Sequence, residues 1–164
     1  MIKGPSNTMI VGPSGSGKTA LTEALLTEGT VSLGPTRPSH YCYGGLWEPC
    51  FDAMKKRGVS FNADLDDVSN LQRWFGAMQD KVLVLNDLME EAGSDQRLLD
   101  LFTKESPYRG ITVLYLCQEH FPPGRVTKTI YRNAHYIIAF KNPRDKKGLR
   151  TLLLQAFPDR KSVV

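Results

Sequence analysis

Apolar residues along this chain follow two alternating rhythms. Short unbroken runs, Met9-Ile10-Val11, Val82-Leu83-Val84-Leu85, Ile111 to Cys117 and Tyr136 to Phe140, are bounded by polar residues or by glycine and proline, as strands are. Between them, apolar positions recur at helical spacing. Examples are Leu21, Leu25 and Leu26, then Phe51 and Met54 before Gly58, and Leu98, Leu99, Leu101 and Phe102 after Ser94 or Asp95. The pattern predicts strands over 7–11, 40–43, 81–87, 111–117 and 136–140, with an additional edge strand at Val59-Ser60-Phe61. It predicts helices over 18–28, 47–57, from Ser69 through Met78, from residue 94 or 95 until Pro107-Tyr108-Arg109-Gly110 ends it, near 127–133, and over 145–157. Gly29 to Ser39, with Gly34, Pro35 and Pro38, reads as a loop. Strands alternating with helices imply parallel pairing through right-handed crossovers, hence a three-layer α/β sandwich. At 164 residues, 1–164 is expected to be a single domain.

The first strand runs directly into Gly12-Pro13-Ser14-Gly15-Ser16-Gly17-Lys18-Thr19, spelled G-x-x-x-x-G-K-T and followed by a helix. Gly12, Gly15 and Gly17 let the loop curl so that its amides point inward at anionic oxygens, and the following helix adds the partial positive charge of its N-terminus. Lys18 would then reach the β- and γ-phosphates of ATP, and the Thr19 hydroxyl would ligate Mg²⁺. Strand, spacing, Lys-Thr and helix all agree on a bound nucleoside triphosphate.

The run Val82 to Leu85 closes on Asn86-Asp87, which describes a central strand buried on both faces with polar groups at its carboxyl end. An acid there organises the Mg²⁺ shell, and its neighbour orients or deprotonates the attacking water. The run ending at Cys117 delivers Gln118 to the same edge.

Charge adds a second theme. The net charge is +4, yet from Phe121 onward ten Lys and Arg face only Asp145 and Asp159. Such a basic segment suits a polyanion, whose counterions it would release, and equally suits a solvated face. Lys141, Arg144, Lys146 and Lys147 would either line a DNA channel or form the exposed start of the last helix. No apolar run approaches the ~20 residues needed to span a bilayer, and Met1-Ile2-Lys3-Gly4-Pro5-Ser6 lacks the apolar core of a signal peptide. A soluble intracellular protein without a membrane partner is expected. Cys42, Cys50 and Cys117 lack metal-ligand spacing and read as reduced, mostly buried thiols.

The ordered set of phosphate loop, Asn86-Asp87, and Arg109-Gly110-Ile111 leading a strand that ends in Gln118 resembles the FtsK–HerA group of DNA-translocating ATPases. Asp87-Leu88-Met89, Gln118 through Phe121-Pro122-Pro123-Gly124 to His135-Tyr136-Ile137-Ile138, and Phe140-Lys141-Asn142-Pro143-Arg144-Asp145 look like the genome-packaging ATPases within it. Those belong to large DNA viruses, the poxvirus type included, and to polinton- and adintovirus-like elements. The resemblance implies a RecA-like core with sheet order 5-1-4-3-2, assembled as a pentameric or hexameric ring on double-stranded DNA, with a capsid or portal protein as a possible further partner. It also implies residence in the host nucleus or a cytoplasmic virus factory. Lys18 and Thr19 then serve the phosphates and Mg²⁺, Gln118 senses the γ-phosphate or the attacking water, and Arg109 becomes an arginine finger for the neighbouring subunit.

One position departs from the family, whose members usually carry two acids where this chain has Asn86-Asp87. Asn86 can hydrogen-bond a metal-bound water but brings no negative charge. Either Asp87 covers the loss with Glu90 or Glu91, or hydrolysis is impaired. A small P-loop kinase and a nucleotide-binding assembly module therefore stand beside the motor as alternatives. Against the kinase, Tyr43-Gly44-Gly45 supplies no acceptor-binding acid after the second strand. Gln118 would otherwise cap a helix or bond a loop carbonyl, Glu119 and His120 would touch nucleotide or DNA or stay solvated, and Tyr43 and Trp47 would stack on a base or pack in the core.

Overall fold

A computed structural model describes residues 2–27, 37–63, 81–88, 96–120 and 125–156. Six strands form one sheet: β1 (Asn7–Val11), β2 (Ser39–Tyr43), β3 (Ser60–Ala63), β4 (Lys81–Asn86), β5 (Ile111–Cys117) and β6 (Tyr136–Ala139). Their order is β3-β2-β4-β5-β1-β6, and every pairing is parallel. With the edge strand β3 set aside, this is the expected order 5-1-4-3-2, and β3 is the additional edge strand read near Ser60. The central strands β1, β4 and β5 are buried along their whole length, whereas β6 alternates between half-buried and exposed at one edge. Continuous apolar runs at 82–85 and 111–117 have this cause, because both faces of a parallel sheet are covered by helices.

Alternation along each strand divides the core in two. On one face, Met9, Val11, Leu83, Leu85, Val113 and Tyr115 pack against Leu101, Phe102, Val126 and Ile130. The last four come from α3, a continuous helical segment (Gln96–Asp100, Leu101–Glu105, Ser106–Arg109), and α4 (Arg125–Arg132). On the other face, Ile10, Tyr41, Val82, Val84, Leu114 and Leu116 meet Leu25 and Leu26 of α1 (Lys18–Thr27) and Phe51 and Met54 of α2 (Pro49–Lys56). The last helix, α5 (Lys146–Ala156), buries Leu152, and its Gln155 accepts a hydrogen bond from Tyr131 of α4 at 3.1 Å. Among the described residues no helix is long and apolar enough to cross a membrane. The helix expected from Ser69, the loop over 29–36 and the caps at Ser94 or Asp95 lie outside the described residues.

Two boundaries differ from the sequence expectation. The helix expected from Trp47 starts at Pro49, with Glu48 in the N-cap position, and Gly58 follows its end at φ 91°. Pro107-Tyr108-Arg109 does not end α3 but continues it, and the stop is Gly110 at φ 65°. The middle turn, Leu101–Glu105, is of π form, with the Ser106 amide donating to the Leu101 carbonyl. Continuing that register would require the Pro107 amide to serve the Phe102 carbonyl, and proline has no N–H. The buried Asn7 side chain takes its place, its Nδ2 donating to the Phe102 carbonyl at 3.0 Å. The Ser106 hydroxyl lies 2.9 Å from Asn7 Oδ1 and 2.8 Å from the Ile111 carbonyl, both acceptors. Asn7 thus pins α3 to the amino edge of the sheet.

Removing that side chain leaves the buried Phe102 carbonyl without this donor, while the Ser106 hydroxyl keeps the Ile111 carbonyl. Asn7→Ala is expected to lower stability by about 2–3 kcal/mol in urea unfolding without weakening nucleotide affinity in the folded fraction. A loss below about 0.5 kcal/mol, the scale of an ordinary surface substitution, would show that the π turn stands without it.

Candidate nucleotide site

The phosphate loop hangs from the end of β1. Gly12 donates its amide to the Cys117 carbonyl at 3.1 Å, Ser16 to the Pro13 carbonyl at 3.2 Å, and Gly15 and Gly17 take φ values of 72° and 98°. Those two angles lie in the left-handed region where a side chain is strained. Gly12 is needed for a different reason: a Cβ there would stand 2.7 Å from Phe140 Cβ and 2.8 Å from Ser16 Oγ. Phe140 is held beside the loop by its amide, which donates to the Val11 carbonyl at 2.7 Å.

Lys18 opens α1, and its ammonium donates to the carbonyls of Gly12 at 2.7 Å and Pro13 at 3.0 Å. A cation tethered to its own loop is ready to exchange those carbonyls for phosphate oxygens. Burial pushes its pKa down, against the opposing pull of Cys117, Asp87 and Glu48. The Ser16 hydroxyl is buried beneath the loop without a hydrogen-bond partner.

At the end of β4, Asn86 is buried and Asp87 sits at φ 56°. For a residue other than glycine this is an uncommon conformation, tolerated best by Asp and Asn. Its neighbour is Gly44, whose amide donates to the Asn86 carbonyl at 3.0 Å and whose missing Cβ leaves room for the Asp87 carbonyl. Gln118, leaving β5, donates Nε2 to Asp87 Oδ1 at 3.0 Å. Among the described residues its side chain bonds the acid. The Tyr41 hydroxyl is buried beside the side chains of Thr19 and Asn86 without reaching hydrogen-bond geometry to any group, and burial pushes its pKa up.

These groups enclose one cleft of ≈ 430 Å³, lined by the phosphate loop, Lys18, Thr19, Asn86, Asp87 and Gln118. That volume lies within the usual range of small-molecule sites. Among the described residues no three His, Cys, Asp or Glu side chains gather into a dedicated metal cage. The donors present are the hydroxyl of Thr19, the amide of Asn86 and the carboxylate of Asp87, all hard oxygens. They fit Mg²⁺, which takes one or two protein ligands and completes its shell with water and phosphate.

Other expected residues go elsewhere. Arg109 lies at the opposite edge, separated from Gln118 by the seven residues of β5, roughly 20 Å at ~3.3 Å per residue. It is exposed near Lys81, whose pKa burial lowers first and the Arg109 charge second. It therefore does not line the cleft described above. His120 is buried rather than solvated and does not line the nucleotide cleft; its Nδ1 is 3.1 Å from Asp145 Oδ2. Asp145 caps α5 by accepting the Gly148 amide at 2.7 Å, and that amide, with His120, holds its carboxyl below the usual range. A second cleft of ≈ 480 Å³, between Gln118-Glu119 and the start of α5, shares Gln118 with the first. Lys141, Arg144, Lys146, Lys147 and Arg150 are all exposed. Tyr43, half-buried, and Trp47, exposed, pack edge-on to each other and against Phe51 and Phe61. Glu90 and Glu91 lie outside the described residues.

Glu48 and Cys50, from the start of α2, also line the cleft, and the sequence reading assigned neither. The available signal was an acid just past a strand whose carboxyl end lies on the nucleotide edge. Gly44 and Phe140 were missed as well, because the contacts that demand them join segments far apart in sequence.

Gly12→Ala is expected to weaken binding of a fluorescent ATP analogue by about fivefold or more, since overpacking of this kind costs about 1–3 kcal/mol. Gly45→Ala, whose Cβ would meet nothing within 4 Å, should leave the affinity unchanged. Equal affinities for both would mean the loop gives way at Gly12. In the same way, Gly44→Ala should displace Asp87 and reduce any Mg²⁺-dependent ATP turnover by about tenfold or more, a loss of roughly 1.4 kcal/mol in transition-state stabilisation. Steady-state kinetics would check it.

No protein-family model and no curated protein matches this chain. Solved structures do. The genome packaging NTPase B204 from Sulfolobus turreted icosahedral virus 2, in complex with sulfate, is similar with a TM-score of 0.65 and 16% identity over 95% of this chain and 82% of that one. Its complex with AMP gives 0.59 and 16% identity over 91% and 81%. The cytoplasmic domain of EssC gives 0.58 and 14% identity over 88% of this chain and 33% of that one. At such identities the likeness speaks for the fold, and the chain has the α/β fold of the P-loop NTPases.

Proposed function

We propose that this chain is an ATP-hydrolysing subunit of a motor that moves double-stranded DNA, of the genome-packaging type found in large DNA viruses and in polinton- and adintovirus-like elements. The observation that carries the reading is the single cleft in which the loop of Gly12 to Thr19, Asn86-Asp87 and Gln118 meet. The likeness to B204, whose structures include complexes with AMP and ATP-gammaS, supports it at the level of fold.

In this reading the loop amides and the N-terminus of α1 bind the phosphate chain. Lys18 leaves the Gly12 and Pro13 carbonyls for the β- and γ-phosphates. Thr19, with Asn86 and Asp87 behind it, would hold Mg²⁺, which supplies charge neutralisation of the phosphate oxygens. Gln118, already bonded to Asp87, reports whether the γ-phosphate is present by exchanging that acid for it.

Arg109 acts only in trans, so turnover requires a ring of copies, five or six, in which the amino edge of one subunit faces the cleft of the next. An arginine placed so is worth ~10³–10⁵ in rate. The exposed cations from Lys141 to Arg150 contact DNA phosphates without reading sequence, as a translocating motor requires. A capsid or portal protein would complete the machine, and its place of work would be the infected cell's nucleus or a cytoplasmic virus factory. A second reading, a nucleotide-binding assembly module that does not hydrolyse, is favoured by one observation: the neutral Asn86 at the end of β4.

ATP hydrolysis measured against protein concentration, with and without double-stranded DNA, tests the motor. The rate per subunit should climb with both, fall at least about 10³-fold in Arg109→Ala at high concentration, and vanish in Lys18→Ala. Binding of ATP without phosphate release under every condition, reversed by Asn86→Asp, would establish the module instead.

A further inference from the structure

Asn86 leaves the site short of one carboxylate, and the Asp87 carboxylate is already engaged by Gln118 through Oδ1. The cleft nevertheless contains another acid. Glu48 lines it together with Lys18, Thr19 and Asn86, arriving from β2, on the side of β4 away from Gln118.

The local structure of Glu48 has no use for its side chain. It occupies the N-cap position of α2, with extended backbone (φ −98°, ψ 145°) and Pro49 following. A residue there ordinarily turns its side chain back onto the free amides of the first turn, and Asp, Asn, Ser or Thr does so best. Glu48 makes no such bond; only its backbone carbonyl serves the helix, accepting the Phe51 amide at 2.9 Å. Its Oε2 accepts the Cys50 thiol at 3.8 Å, a weak contact, and the described residues give Oε1 no hydrogen-bond donor. The carboxylate is half-buried and contributes to the field at the Lys18 ammonium.

Its position is held from both sides. Trp47 packs edge-on to Phe51 at 5.3 Å and to Tyr43 at 5.8 Å, and its Nε1 donates to Asp52 Oδ1 at 3.2 Å. Pro49 stiffens the following bond. The backbone that carries the acid beside the cleft is thereby organised before substrate arrives.

We propose that Glu48 is the catalytic carboxylate of this site, accepting the hydrogen bond and then the proton of the water that attacks the γ-phosphate. The water oxygen forms a bond to the γ-phosphorus. The bond from that phosphorus to the β–γ bridging oxygen breaks, and its electron pair leaves on ADP. The proton passes to the Glu48 carboxylate and on to solvent, leaving inorganic phosphate. This assignment rests on the hydrolase reading above and gives the cleft a base that is separate from Asn86 and Asp87, which that reading places at Mg²⁺.

Glu48→Gln in the full chain tests it, because glutamine keeps the size and an acceptor for the Cys50 thiol while removing the base. Three quantities are compared in Mg²⁺: ATP turnover, affinity for a fluorescent ATP analogue, and trapping of ADP by aluminium fluoride, which imitates the γ-phosphoryl with its attacking water. Turnover is expected to fall at least about 100-fold, the usual contribution of a positioned base, with analogue affinity within threefold of the unchanged chain and the aluminium fluoride complex lost. If the unchanged chain hydrolyses ATP and Glu48→Gln matches it within threefold, Glu48 is not the base and the hydrolase reading survives. If affinity and turnover fall together, Glu48 only shapes the α2 turn, which overturns the assignment. If the unchanged chain binds the analogue yet neither hydrolyses nor traps, both readings fall.

Discussion

Parallel pairing of β5 with both β1 and β4 is the constraint on which everything else in this molecule depends. Its register sets Val11 opposite Cys117 and Asn86 opposite Leu116, so the three central strands finish together at one edge. Segments separated by up to about a hundred residues of chain are thereby delivered to one cleft: the phosphate loop from β1, Asn86-Asp87 from β4 and Gln118 from β5. Slipping the pairing by one residue would turn every buried side chain of a strand to the opposite face, which two apolar cores forbid. The packing that stabilises the sheet therefore also fixes the distances within the site.

The site itself is not relaxed. Asp87 is held at φ 56° by a turn that closes on Gly44, Lys18 is held against two carbonyls of its own loop, and the Ser16 and Tyr41 hydroxyls are buried without partners. Among these features the Asp87 conformation costs of the order of ~1–3 kcal/mol, and the fully buried strands around it supply the offset. All of these features lie along the carboxyl edge, where polar groups meet between covered layers. At the amino edge, Asn7 satisfies the carbonyl that Pro107 cannot, and Ser106 is buried against it.

The two edges also differ in what they carry. The carboxyl edge carries the cleft, and the amino edge carries Arg109 beside the exposed Tyr108. On the carboxyl edge, Gln118 borders both clefts, and the following loop is tied through His120 to Asp145, the cap of the basic helix α5. Gln118 thus lies two residues from a side chain bonded to the cap of α5.

The amino-acid sequence by itself determined what depends on near neighbours: the phosphate loop, whose glycines and Lys-Thr act within one turn, the buried strands, whose apolar runs announce cover on both faces, and the carboxyl-edge placement of Asn86-Asp87 and Gln118. It carried most helix positions too, and placed the end of α3 within Pro107-Tyr108-Arg109-Gly110, but not the continuation of the helix through Pro107, since the donor replacing the proline amide is Asn7, about a hundred residues earlier. It left His120 as a loop residue because its partner Asp145 belongs to another element. Tertiary structure alone decided that Glu48 faces the cleft, that Gly44 must make room for Asp87 and that Gly12 must make room for Phe140. The physical reason is common to all three: local periodicity reports which face of an element is buried, whereas a contact between two elements exists only once strand register has brought them together.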